Sequence, residues 1–372
     1  MQGFDDEQRR TLVNLETYYA QWLAAARELD GPYKGSLRWK SVAGRQYLYH
    51  RVSSAPLVDN SLGPRSAQTE ERMITFQRGK AAATERARRA EAETTRFARV
   101  GRALRLGATS GAAARLLRHL DRRGLLGTSL QAVGTVAMAA YEAEAGGRLF
   151  TGYDATQDFD LAWRGAEGLQ LQSARPATLL AVLREVDPLF TRNTERSFQA
   201  ISGKYEVEVL AAPSTLASFP PDDLVPLPGL VEQEWLLLGE PLRHVVVALD
   251  GTPAPIVAPD PRWMALHKLW LSAKPARQAS KRPKDQAQGL LLMRAVLEHM
   301  PLYPLDVGFV DQVSPELAGW LRAAVEWVQQ HPSAEPAAGD FRSARPPALS
   351  PALVRRLRRA SPAALSLTRE LR

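Results

Sequence analysis

Asp158 and Asp160 stand two residues apart in GYDATQDFDLAW, residues 152–163, with Phe159 between them and Leu161 after. On a strand, alternate side chains share a face. Thr156, Asp158, Asp160 and Ala162 then look one way, and Gln157, Phe159, Leu161 and Trp163 the other. The second set is mostly apolar and predicts a packed underside. The first places two carboxylates about 6–7 Å apart along the backbone, from where both can converge on one hard cation. Mg2+ takes one or two carboxylates together with waters and substrate phosphates. Without a cation the pair would repel, and burial would raise one pKa. An exposed acidic strand face is the plainer alternative for two such residues.

Two neighbouring stretches add to the pair. Upstream, LQAVGTVAMAAYEAEAG reads as a strand entering a helix through Gly134-Thr135. Glycine there lets a ligand approach the backbone, and a helix start offers free N–H groups to phosphate. A tight turn with Thr135 as an ordinary cap would use the same residues. Downstream, KYEVEVLA puts Glu206 and Glu208 on one face of a further strand. Either could supply the third carboxylate that a second metal, or activation of a hydroxyl nucleophile, requires.

These strands need elements to carry them. Residues 5–30 repeat Leu12, Leu15, Tyr19, Trp22 and Leu23 at helical spacing, and GSLRWKSVAGRQYLYHRVS is a hairpin turning at Ala43-Gly44. SLGPRS reads as a loop, with Ser66 capping a charged helix over 67–106. A helix at about 110–122 ends at Gly124, and from 129 the chain alternates short strands and helices. HVVVALDGTPAPIVAP is a hairpin turned by Asp250-Gly251. Helices follow at 261–273, about 285–299 and 315–330, with Asp285 as a cap. Residues 332–351 form a Pro/Ala-rich linker before a basic helix around ALVRRLRRA. Four regions result: 1–127, 128–258, 259–331 and 332–372.

With 372 residues, 45% hydrophobic and 24% charged, the chain can build a sizeable core. The absence of cysteine excludes disulfides, thiolate metal sites and a cysteine nucleophile, and the six histidines are scattered rather than clustered. No Walker-type phosphate loop and no nucleophile elbow is present. The start, MQGFDDEQRR, shows no secretory signal, and no apolar run is long enough to span a membrane, so a cytoplasmic protein is expected. Net charge is +8, unevenly spread: residues 341–372 hold eight Arg against one Glu, and 66–106 hold ten basic against five acidic side chains. The remainder is net acidic. Basic extensions around an acidic middle suit a polyanion docked beside bound cations; they also suit Arg-rich solvated helices with no ligand.

The order of strand, Gly-Thr turn, helix, Asp-x-Asp strand, helix and acidic strand resembles the DNA polymerase β-like nucleotidyltransferase superfamily. Longer phrases, among them VGTVAMAAYEAEAG, ATQDFDLAW, VAPDPRWMALHKLWLS and KRPKDQAQ, are similar to a bacterial family of nucleotidyltransferase-fold proteins. That similarity runs from about residue 17 to 310 and omits the arginine tail. It implies an α+β fold: a polymerase β-like nucleotidyltransferase core, a small mixed sheet flanked by helices, with helical N-terminal and C-terminal subdomains. It implies binding of a nucleoside triphosphate with Mg2+ or Mn2+. Asp158 and Asp160 fall on the metal ligands and Glu208 on the third acid, while Gly134 and Thr135 fall on the phosphate turn. Lys268 resembles a lysine aimed at triphosphate from the helical subdomain. Three departures stand out: Thr135 replaces Gly or Ser, Glu208 replaces Asp (leaving Glu206 as an alternative), and Val136 replaces Asn.

The expected activity is transfer of a nucleoside monophosphate to an acceptor hydroxyl. RNA, including a tRNA 3′ end, is the favoured acceptor because of the basic helix and tail. Lys34, Arg38 and Lys40, interleaved with Tyr33, Trp39, Tyr47 and Tyr49, could bind single-stranded nucleic acid by charge and stacking, or the rings could be buried. Lys284, Arg355 and Arg356 are further basic candidates. Protein nucleotidylation, a toxin-like enzyme with an antitoxin-like partner, and a catalytically weak nucleotide- or RNA-binding module are the alternatives.

Overall fold

The computed structural model describes residues 1–54, 57–149, 158–165, 178–203, 205–219, 224–226, 231–332 and 336. Its N-terminal part is a pair of helices, α1 (Asp6–Asp30) and α2 (Ala67–Ala103). Capping boxes fix both starts: Gln8 N donates to Asp5 Oδ1 at 2.8 Å and Asp5 N to Gln8 Oε1 at 3.0 Å, and Ser66 with Thr69 repeats the exchange. The two run antiparallel, since Gln8 reaches the Leu104 carbonyl, Tyr18 stacks on Phe97, and Glu28 pairs with Arg86. Leu15, Tyr19 and Leu23, a stripe its spacing predicts, cluster with Ala98 of α2, on which Ala83, Ala90 and Thr94 are buried as well.

Between these helices lies an antiparallel sheet of β1 (Ser36–Val42), β2 (Arg45–Ser54) and β3 (Leu57–Pro64). Ala43 and Gly44 turn the first hairpin with φ of 49° and 75°, as a two-residue primed turn needs. The third strand corrects the reading of SLGP as loop. Gly63 and Pro64 end an edge strand, where the missing proline N–H leaves no ladder bond unmade.

The core sheet has five strands: β5 (Leu130–Val133), β6 (Asp158–Trp163), β7 (Thr191–Arg192), β8 (Gln199–Ser202) and β9 (Tyr205–Ala211), in the order β5-β6-β9-β8-β7. Only β6 and β9 are parallel neighbours; the other described pairings are antiparallel. One face is apolar: Phe159, Leu161, Trp163, Ala200, Val207, Val209 and Ala211 are all buried. Helices α3 (Gly111–Arg122), α4 (Gly134–Ala145) and α5 (Leu179–Val186) share that core. Helix α3 lies within region 1–127, yet its buried side chains belong to this core.

A second sheet orders β11 (Pro253–Ala258), β10 (Leu242–Ala248) and β4 (Gly107–Thr109). Strand β10 faces two ways: Val246 and Ala248 enter the main core, while Val245 and Val247 join Leu15, Tyr19, Leu23 and Ala98 of the helix pair. Helices α6 (Pro261–Ala273), α7 (Arg282–His299) and α8 (Pro315–Gln330) complete the C-terminal side. Asp260 caps α6, accepting from Arg262 N at 2.9 Å. Helix α7 starts at Arg282, earlier than expected, so Asp285 lies in its first turn and is not its cap. No described helix is long and apolar enough to cross a membrane.

His244 of β10 clamps the N-terminal helices to the core. Its Nδ1 lies 2.6 Å from Glu16 of α1 and its Nε2 2.8 Å from Glu144 of α4. Burial lowers its pKa, but the hydrogen bonds and charges of the two glutamates outweigh that and raise it to about 9. A raised histidine pKa stabilises the fold fully below the unfolded value near 6.5 and loses that contribution as pH climbs through the folded one. Urea titrations at pH 6 and pH 9.5 should show the wild type losing about 3 kcal/mol more than His244→Gln over that interval. Equal losses would show that the clamp carries no proton-linked stability.

Candidate active site

Sheet register gathers the acids. Val133, Asp160, Glu208 and Gln199 form one row across four strands, and Asp158, Glu206 and Ile201 form the next. Directly paired residues share a face, and neighbouring strands lie about 4.8 Å apart. Asp160 and Glu208 are therefore neighbours on the face opposite the apolar one. The same register sets Glu206 beside Asp158 rather than Asp160. The Asp158 backbone is placed, while its side chain, Arg355 and Arg356 lie outside the described residues.

Row one runs directly into the helix start. Val133 is the N-cap of α4 and makes no side-chain cap bond; Gly134 follows with φ of 67°. A Cβ on Gly134 would stand 2.3 Å from Asp160 Oδ2. The glycine thus serves two needs: a left-handed backbone and a carboxylate seated against its α-carbon. Thr135 is half-buried beside it, and Val136 is buried in the core, where an expected asparagine would meet apolar neighbours. Gly134→Ala would strain the backbone by about 1–2 kcal/mol and displace Asp160. The expected result is a modest drop in melting temperature with a much larger loss of nucleotide transfer; equal, small losses would deny the glycine its role at the carboxylate.

Sequence reading passed over the residues that hold Glu208. Gln199, fully buried, donates to Glu208 Oε1 and lies 3.4 Å from Glu206 Oε2. Asn193 Nδ2 donates in turn to Gln199 Oε1 at 2.9 Å. A neutral amide chain therefore sets the orientation of the glutamate without cancelling its charge. The one visible signal was an amide at the start of a short strand opposite the acidic one.

The basic candidates separate. Lys268 is 5% exposed, and its Nζ lies 2.8 Å from Asp285, whose other oxygen takes Arg277 Nε at 2.7 Å. Its charge is held inside the helical subdomain. His267 beside it is buried and held well below its usual pKa, at about 3, chiefly by burial and then by the Lys268 charge. Lys284 is half-buried in the first turn of α7, and Lys34 is exposed. Arg38 and Lys40 lie on the separate N-terminal sheet, both bound to Asp59.

Among the described residues no group of three or more His, Cys, Asp or Glu side chains gathers as a metal set. What the described part offers is a pair, Asp160 and Glu208, all oxygen donors, beside a glycine that leaves room for one carboxylate. That donor set fits a hard divalent cation. A family model described as nucleotidyltransferase matches residues 112–307, from α3 to beyond α7 and including both the acidic rows and Gly134. Searches among curated proteins and among solved structures give no match.

Proposed function

We propose, for a chain that belongs to the nucleotidyltransferase family, that it transfers a nucleoside monophosphate from a nucleoside triphosphate to a hydroxyl of RNA. The observation that carries this reading is the single row placing Asp160 and Glu208 beside Gly134 and the uncapped start of α4. The core as a whole is proposed to be polymerase β-like.

In the reaction, the acceptor oxygen attacks the α-phosphorus, the bond to the bridging oxygen breaks, pyrophosphate leaves, and the hydroxyl proton is released. A divalent cation, Mg2+ or Mn2+, would neutralise triphosphate charge and make the hydroxyl more acidic. Asp158, Asp160 and Glu208 are the residues that would hold it. The free N–H groups at the start of α4, with the Thr135 hydroxyl, receive phosphate oxygens and help hold the leaving pyrophosphate. Gln199 keeps Glu208 turned along the row. The apolar underside keeps the strands rigid beneath the acids.

RNA as acceptor is supported by the local positive charge of residues 66–106 and of the tail. A catalytically weak binding module is the second reading, favoured by a glutamate already engaged by Gln199. Incubation with each α-labelled NTP, Mg2+ and total RNA tests both. Label in RNA, abolished by EDTA, is the expected result. NTP binding without transfer would support the module, and label in protein would move the acceptor to a polypeptide.

A further inference from the structure

The N-terminal sheet has no part in the proposed transfer, yet its two faces are built differently. Leu37 pairs with His50 and Trp39 with Leu48, and this side covers α2: Leu48 is fully buried and His50 meets Phe76 edge-on at 5.9 Å. The intervening residues form the outer side. There Arg38 pairs with Tyr49, Lys40 with Tyr47, and Arg51 with Asp59. Asp59, largely enclosed, receives all three cations: Lys40 Nζ at 3.1 Å, Arg51 Nε at 3.2 Å, and Arg38 Nη2. These contacts hold its carboxyl far below the usual carboxylate range, against the opposing effect of burial.

One acid among three cations leaves the cluster at +2. Arg38 Nε has no acceptor among the described residues. Lys40 also lies 4.9 Å from the centre of the Tyr49 ring. Asp59 therefore keeps long, flexible cations gathered across the strands beside two half-buried tyrosines. A surface that only repelled its neighbours would not need this organisation. Charge alone would serve any polyanion; rings on the same side specify one with flat bases.

We propose that this outer face, bearing Arg38, Lys40, Tyr47, Tyr49 and Arg51, docks the single-stranded RNA acceptor, a step that rests on the RNA reading above. Bases stack on Tyr47 and Tyr49, and phosphates meet the three cations. The platform and the core meet α2 at well-separated points along its length. Helix α2 touches the core at Gly101, where a Cβ would lie 2.7 Å from Val247 Cγ2, and touches the platform at Phe76. Those points are about 38 Å apart at the usual helical rise. An acceptor held on the platform side of α2 and modified in the core is served by an extended polynucleotide rather than by a mononucleotide.

The test is fluorescence anisotropy of a labelled 20-nucleotide single-stranded RNA with the full chain, without NTP, across a salt series. Tyr47→Ala/Tyr49→Ala is expected to raise Kd about tenfold or more with an unchanged salt slope. Arg38→Gln/Lys40→Gln should weaken binding and flatten the slope by about 1–2. Tyr49→Phe, which keeps the ring, should bind as wild type does and guards against a folding artefact. Asp160→Asn should also bind normally, so a failure of the transfer reading and a failure of docking are separable. Unchanged Kd in both double variants overturns the proposal. So does competition by phosphatidylserine vesicles or a polyglutamate peptide as effective as that by unlabelled RNA, which would make the face a general anion surface.

Discussion

Asp160→Asn is expected to reduce nucleotide transfer by about a thousandfold or more while leaving the fold intact. The asparagine has nearly the same shape, so the contact with Gly134 and the packing of Phe159 and Leu161 beneath it are unchanged. What disappears is one negative charge at the point where the row meets the helix start. A carboxylate that would help hold the cation opposite the reacting triphosphate is worth several kcal/mol, and each 1.36 kcal/mol is tenfold in rate. Glu208→Gln should cost less, about a hundredfold, because Gln199 continues to orient the side chain. Removing one of two adjacent like charges should not lower the melting temperature. Retention of more than a tenth of wild-type transfer in Asp160→Asn, measured by incorporation of labelled NMP, would remove Asp160 from the chemistry.

The second large effect lies in the helical subdomain. Asp285 is 2% exposed and holds Lys268 at 2.8 Å and Arg277 at 2.7 Å. Asp285→Ala would leave two cations facing each other in a largely dry site beside the uncharged His267. Breaking a buried pair by removing one partner costs about 3–5 kcal/mol. A fall of that size in the unfolding free energy measured by urea titration is expected. Lys268→Met should be milder, because Arg277 still neutralises Asp285, and it should leave the KM for NTP unchanged. A raised KM with unchanged stability would return Lys268 to the phosphates.

Much of this was legible in the sequence because the signals were local. Leu15, Tyr19 and Leu23 recur at helical spacing, Ser66 precedes a polar first turn, and Asp160 alternates with Phe159 and Leu161, so the helix pair and the acidic strand could be read directly. Pairing across distance could not. That Glu208, rather than Glu206, opposes Asp160 depends on strand register, which no single segment encodes. The Gln199 amide looked like any polar residue in a short strand. Lys268 was assigned by resemblance, yet its partner lies seventeen positions on, in the next helix, where Asp285 looked like a cap. The third N-terminal strand was hidden by glycine and proline, whose usual meaning as loop punctuation fails at a sheet edge.

Because Asp160 and Glu208 share one rung of a parallel ladder, neither can be re-aimed alone. A one-residue insertion within β6 or β9 would swing that acid under the sheet among the aliphatics and bring a hydrophobe up in its place. The tolerance of this chain to length changes should therefore be sharply graded. The connection between the two strands carries α5, β7 and β8, with Gln199 against Glu208, so extra residues there are tolerated only in the turns between those elements. A single codon gained inside either strand would silence the protein outright.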